Sequence, residues 1–431
     1  MIRLALLLLF LVAPAYAVDT CVECHAAQSA AGLSRQTTQV AQDVHGQAGV
    51  SCHHCHGGDP TTGMDMPDES MDQKKGYIGV PKPAAIAAVC AKCHSDPKFM
   101  RDHAPTLPTD QPAKYALSLH AQSAIRNEKH AATCTACHRA HGILPASDPR
   151  STVNAAQVPA TCGRCHADPA MMAPKNLPSD VVRDYTASVH WRAVKSRNDR
   201  AAPVCHDCHG NHAAATPAPA AVVNLCGRCH TAERAAFAQG KHAGLPGFRG
   251  CVECHSNHKI DTPTDAFLAP TGVCSRCHRD PGPALLAARD AYGAYTALDA
   301  DIAAAATALE PLKAQALPTH DAEEALAAAR QALIAARRLI HTDSPAARAV
   351  PLEQAQTALA QATAATAAAA AERDTRRTAP LAFALLALLT SLTLAAKVHE
   401  LSKEPSADRL VDEHAPTPAS KSKPRKRKNR R

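Results

Sequence analysis

The sequence predicts a mainly α-helical chain with much irregular structure. It divides into an N-terminal array packed around prosthetic groups, an alanine-rich helical segment and one C-terminal transmembrane helix. Three observations predict this. All eighteen cysteines fall in nine C-x-x-C-H units between residues 21 and 278. Aromatic residues make up only 3% of the 431-residue chain, and much of its 46% apolar content is alanine. A run without charge, Ala379 to Ala396, lies near the C-terminus.

The first residues give the compartment. Arg3 is followed by an apolar run from Leu4 to Val12 and by Ala15-Tyr16-Ala17. This is the layout of a secretory signal peptide with an A-x-A cleavage site. Residues 1–17 are therefore expected to be removed, leaving Val18 three residues before the first cysteine. An uncleaved anchor is the alternative.

The cysteine units are Cys21/Cys24/His25, Cys52/Cys55/His56, Cys90/Cys93/His94, Cys134/Cys137/His138 and Cys162/Cys165/His166. Four more follow: Cys205/Cys208/His209, Cys226/Cys229/His230, Cys251/Cys254/His255 and Cys274/Cys277/His278. C-x-x-C-H is the attachment signature of c-type haem. Thiols at i and i+3 on one helical turn reach the two vinyl groups, and the next imidazole meets the iron. Structural zinc uses C-x-x-C pairs without demanding histidine straight after the second cysteine. A secreted disulfide framework and a thioredoxin-like pair make no such demand either. The expectation is nine covalent haem c groups, with each motif histidine as the proximal iron ligand.

Between Val18 and His278 each motif has about 29 residues, too few to surround a macrocycle with a conventional core. The haems themselves are expected to fill the interior of residues 18–280. A two-motif repeat runs through this region. Cys90-Ala-Lys-Cys-His94-Ser-Asp-Pro97 leads through Leu107-Pro-Thr-Asp110 to Tyr115-Ala-Leu-Ser-Leu-His120. It recurs as Cys162-Gly-Arg-Cys-His166-Ala-Asp-Pro169, Leu177-Pro-Ser-Asp180 and Tyr185-Thr-Ala-Ser-Val-His190. A shorter copy starts at Cys226, a truncated one at Cys274, and a divergent early one has His45 before Cys52. In a stacked array of this kind, order along the chain becomes order in space.

The repeat also sorts the histidines. Of 25, nine belong to motifs and sixteen remain. His45, His120, His190 and His242 occupy the slot before a motif, and His141, His212 and His258 end a C-H-x-x-H. These seven are expected to be distal iron ligands. His130 and His103 are the candidates for the remaining two, with His53, His54 and His206 behind them. His320, His341 and His399 read as ordinary helix residues, and Met100, Met171 and Met172 as packing. Two imidazoles on each iron leave no position for a substrate, which argues for electron conduction over catalysis.

Residues 281–377 contain no cysteine and are dominated by alanine, with the propensity and apolar spacing of long helices. Pro311, Pro318 and Pro345 should divide them into 284–310, 319–343 and 346–377, as a stalk, a docking surface or a plain spacer. Residues 378–397 are long enough to span a bilayer, a buried core helix being the alternative. Residues 398–431 end in Lys421 to Arg431, with eight Lys/Arg and no acid, as expected of a cytoplasmic tail. That tail supplies the whole formal charge of +8. It reads as a solvated determinant of topology, the alternative being contact with anionic headgroups of the inner membrane, and nucleic acid is not an expected partner.

Tyr185-Thr-Ala-Ser-Val-His190, Val204-Cys-His-Asp-Cys-His-Gly-Asn-His212 and Val158-Pro-Ala-Thr-Cys-Gly-Arg-Cys-His-Ala-Asp168 resemble multihaem cytochromes of anaerobic respiration. The C-H-x-x-H repeats are similar to those of decahaem electron conduits of metal-reducing bacteria and of pentahaem donors to nitrite reductase. The resemblance covers about residues 18–280. It implies bis-histidine haems in a chain-like array and electron transfer in the periplasm. The membrane quinol-dehydrogenase cytochromes carry an N-terminal anchor, whereas here the anchor is C-terminal. The expected partners are therefore a quinol-oxidising or cytochrome partner in the membrane and a redox acceptor in the periplasm or outer membrane. The alternative is a catalytic multihaem oxidoreductase acting on nitrogen or sulfur oxyanions.

Overall fold

The computed structural model describes residues 19–28, 32–197, 199 and 201–403. The expected signal peptide and most of the basic tail lie outside them. The described residues are 66% helical and include no strand. The chain separates into two compact units, Met1–Leu298 with Leu333–Leu352, and Asp299–Ala332 with Glu353–Arg431.

In the first unit the motifs sit on short helices. Thr20–Ala27, Cys52–His56, Pro83–His94, Cys134–His138, Val158–His166 and Cys205–His209 carry complete motifs. Local chemistry sets their ends. In the repeated Asp-Pro step, Asp96 and Asp168 accept hydrogen bonds from the amides of residues two and three positions on, while Pro97 and Pro169 open the next helix. A carboxylate at the cap satisfies otherwise orphaned donors, and proline at the first helical position has no amide to satisfy.

The array has little side-chain core. One apolar cluster in it is Val158, Tyr185, Val194 and Val204. Large apolar residues elsewhere in it, such as Val80, Leu117, Leu119 and Ile125, are exposed. The sparse aromatics forecast this, because few bulky side chains are available to bury. Met100 and Met172 are buried, as packing residues would be.

Three long helices follow: α1 (Pro283–Lys313), α2 (His320–Arg338) and α3 (Pro345–Leu401). In the first unit Leu285, Ala288, Ala291, Tyr295 and Leu298 form a buried stripe on α1 at three- to four-residue spacing. Tyr295, fully buried, donates its hydroxyl to the Ala336 carbonyl at 2.8 Å. Residues 283–298 and 333–352 belong to the same unit as the motifs. In the second unit Leu312 and Leu317 pack with Ala369. Ala355, Ala362 and Ala369 are buried at a seven-residue interval.

Pro311 does not end α1 as expected; it lies inside the helix, two residues before its end. The buried contact of Leu312 with Leu317 and Ala369 holds that final turn closed. α3 runs unbroken for 57 residues, through the boundary at residue 378, about 85 Å at 1.5 Å per residue. Within it, an 18-residue window has mean hydropathy 2.0 and none of it is buried. By length and composition α3 could cross a membrane.

Candidate functional site

The site is a ladder of histidine pairs along the first unit. His45 faces His94, His120 faces His166, His190 faces His230 and His242 faces His278. His141 faces His56, His212 faces His138 and His258 faces His209. An eighth pair joins His341 to His255. Ring centroids lie 5.9–6.3 Å apart throughout, and every pair contains one motif histidine and one histidine from elsewhere. Metal–imidazole bonds are about 2 Å and a ring nitrogen sits roughly 1 Å from its centroid, so two rings sharing one ion stand about 6 Å apart.

The pairing follows a rule. A histidine before an even-numbered motif pairs with the next odd-numbered one, as His120, before the fourth, pairs with His166 of the fifth. A histidine ending C-H-x-x-H pairs with the preceding even-numbered motif, as His212 of the sixth pairs with His138 of the fourth. Each two-motif repeat is therefore strapped to its neighbours in both directions.

Cap chemistry aims the histidines. Ser118, fully buried, donates to the Tyr115 carbonyl at 2.6 Å and accepts from the Ala121 amide at 3.0 Å, starting the helix that carries His120. Ser188 accepts from Trp191 in the same way, two residues before His190. Asp43 takes this position before His45. Only 2% exposed, it accepts from the His45 amide, from His45 Nδ1 at 3.0 Å and from the Ile143 amide at 2.8 Å. In the third copy the position is Gly240, where a Cβ would collide with the His341 carbonyl. The missing cap arrives from elsewhere: Asp343 Oδ2 accepts from the Lys241 amide at 2.8 Å and lies 3.4 Å from His242 Nδ1.

Proton positions are fixed where Nδ1 meets an acceptor with no hydrogen. His56 Nδ1 donates to the Gly79 carbonyl at 2.8 Å, His209 to Ala215 at 3.0 Å and His341 to Arg338 at 2.7 Å. Each then presents the Nε2 lone pair, the form in which imidazole binds metal. Burial, above all, lowers the pKa of His94, His120, His138, His141, His166, His190, His212, His255 and His258. Neutral imidazoles result, as ligation requires.

The cysteines show that sequence order is spatial order. All eighteen are free. Cys90 and Cys134 lie close enough to perturb each other's ionisation, as do Cys162 with Cys205 and Cys226 with Cys251. These join the third motif to the fourth, the fifth to the sixth and the seventh to the eighth. Arg164, inside the fifth motif, donates to the Ala136 carbonyl in the fourth, and Arg228, inside the seventh, donates to the Asp207 carbonyl in the sixth.

The second cysteines extend this order: Cys165, in the fifth motif, is half-buried, while Cys229 and Cys277, in the seventh and ninth, are exposed. Burial chiefly raises the pKa of Cys137, Cys208 and Cys254, and Cys165, Cys229 and Cys277 respectively add to it electrostatically. These neighbours link the fourth motif to the fifth, the sixth to the seventh and the eighth to the ninth. Together with the first-cysteine contacts they make the order continuous from the third motif to the ninth.

Two expected ligands are not brought to a motif histidine. His103 is exposed, stacks on Phe99 at 4.0 Å and donates Nδ1–H to the Phe99 carbonyl one turn back. His130 is exposed on a left-handed backbone (φ 67°). The His53 and His54 rings meet at 4.0 Å, tilted by 36°, and His53 Nδ1 contacts Ser51 Oγ at 2.7 Å. His341, read from sequence as an ordinary helix residue, is the ligand candidate that reading missed. Its signal was arithmetic: the even-numbered eighth motif has no later C-H-x-x-H to serve it.

Among the described residues no group of three or more His, Cys, Asp or Glu gathers as a protein metal cage. Two opposed imidazoles beside a pair of thiols suit instead an ion whose four equatorial positions come from a macrocycle. The residues present fit haem iron. No family model, no curated protein and no solved structure matches this chain.

Proposed function

We propose that this chain is an exported nonahaem c-type cytochrome, tethered to the bacterial inner membrane by α3 with its tail in the cytoplasm. It carries electrons from a quinol-oxidising membrane partner to a periplasmic or outer-membrane acceptor. The observation that carries the reading is the set of eight imidazole pairs at 5.9–6.3 Å, each anchored on a C-x-x-C-H histidine. Haem supplies one-electron ferric/ferrous chemistry. The chain's part is to hold neighbouring groups in order, keep the proton on Nδ1 and aim Nε2. Two imidazoles per iron favour outer-sphere transfer over substrate binding. A catalytic oxidoreductase needs an open iron, which none of these eight pairs leaves.

The test is production of the full chain in a host that matures c-type cytochromes. Intact mass should exceed the signal-cleaved polypeptide by nine haems, and the pyridine haemochrome should count nine. A product with bare polypeptide mass and no Soret band would end the reading.

A further inference from the structure

The pairing rule leaves one motif unserved at each end of the array. At the C-terminal end, His255 of the eighth motif lacks a tenth motif to lend it a histidine, and His341 fills the gap at 6.2 Å. At the N-terminal end, His25 of the odd-numbered first motif would need a histidine lying before an earlier motif. Residues 1–20 contain no histidine. Among the described residues no imidazole ring faces His25 at the distance the other eight motif histidines share. Nor, among the described residues, does His53, His54, His103, His130 or His206 stand opposite a motif histidine: His53 meets His54, and His103 meets Phe99.

Resting on the haem reading above, we infer that the haem of Cys21, Cys24 and His25 has only one protein ligand and is a binding site for a single exchangeable small molecule. Its ligands would be compact donors to iron, such as carbon monoxide on the ferrous form or cyanide on the ferric form. This departs from the fully bis-histidine array that the resemblance implies. It gives a chain of eight closed irons an open one at its N-terminal end.

The full-length haem-loaded protein tests this. Its ferric EPR spectrum should show one high-spin iron beside low-spin ones. Carbon monoxide titrated into the reduced protein should bind at about one equivalent per nine haems. A Cys21→Ala/Cys24→Ala variant should count eight haems and lose both the high-spin signal and the carbon monoxide uptake. Nine haems with only low-spin signals and no uptake would overturn the inference while leaving the cytochrome reading intact. Uptake that persists in the eight-haem variant would overturn the assignment to His25. If that variant does not mature, His103→Ala and His130→Ala decide the matter in the otherwise intact chain. Neither should add a high-spin iron, and an added one would show that the replaced histidine ligates.

Discussion

Asp343 Oδ2 accepts the Lys241 amide at 2.8 Å and stands 3.4 Å from His242 Nδ1, reproducing from a distant segment what Asp43 does for His45 two residues away. A carboxylate on Nδ1 makes imidazole a stronger donor and favours ferric over ferrous iron. Asp43→Asn and Asp343→Asn should therefore each raise one reduction potential. The shift should be on the order of tens of millivolts, since a tenfold change in relative affinity corresponds to 59 mV for one electron. Asp43 should give the larger shift, being more buried and closer to its histidine. Potentiometric titration of the two variants checks both the sign and the order.

His341 lies on the turn between α2 and α3, yet its ring stands across from His255. His341→Ala should open that iron, adding one high-spin ferric signal and one equivalent of carbon monoxide uptake relative to the parent protein. His320→Ala, on the same helical segment, should add neither. EPR and gas titration distinguish the two.

Tyr115 and Tyr185 occupy equivalent places in two repeats. Each donates its hydroxyl at 2.9 Å to the carbonyl two residues before the next motif's first cysteine, Ala132 and Pro203 respectively. Replacing either with Phe should cost about 1 kcal/mol, the usual net worth of such a bond. Tyr185 should cost more, because it is buried in the apolar cluster of its repeat. Thermal melts should fall by about 2–4 °C per kcal/mol, with haem content unchanged.

Glu128 accepts from Lys175 at 2.6 Å and pairs with Arg126, joining consecutive repeats. These hydrogen bonds hold its carboxyl at about 2 instead of 4.5. A depressed carboxylate contributes its stability above the unfolded value and loses it as pH falls through the folded one. Stability should thus decline between about pH 4.5 and pH 2, and Glu128→Gln should flatten that part of the acid-unfolding curve. The effect is small because the group is exposed and solvent screens it.

The nine motifs and seven of the paired histidines were legible in sequence, because ligand chemistry demands fixed residue types at repeated positions. Long helices were legible from alanine content and apolar spacing. Pro311 misled because local propensity was outweighed by the burial of Leu312 beside it. His341 stayed hidden because nothing near it repeats: its partner is far back in the chain, and its surroundings read as plain helix. His103 and His130 were chosen to fill the two places the repeat left open, and neither stands opposite a motif histidine among the described residues. The exposure of Cys229 and Cys277 was equally hidden, since the motif fixes residue types and leaves the neighbours of each thiol to the packing of successive motifs.

Because each rung ties one repeat to the next, the ladder has a parity. Gain or loss of a whole two-motif block would leave every internal motif histidine paired and both ends unchanged. Gain or loss of a single motif would shift odd and even positions and strand ligands on either side. The architecture can therefore change length only in steps of two. The turn bearing His341 and Asp343 serves as the fixed terminator, closing the array however many blocks precede it.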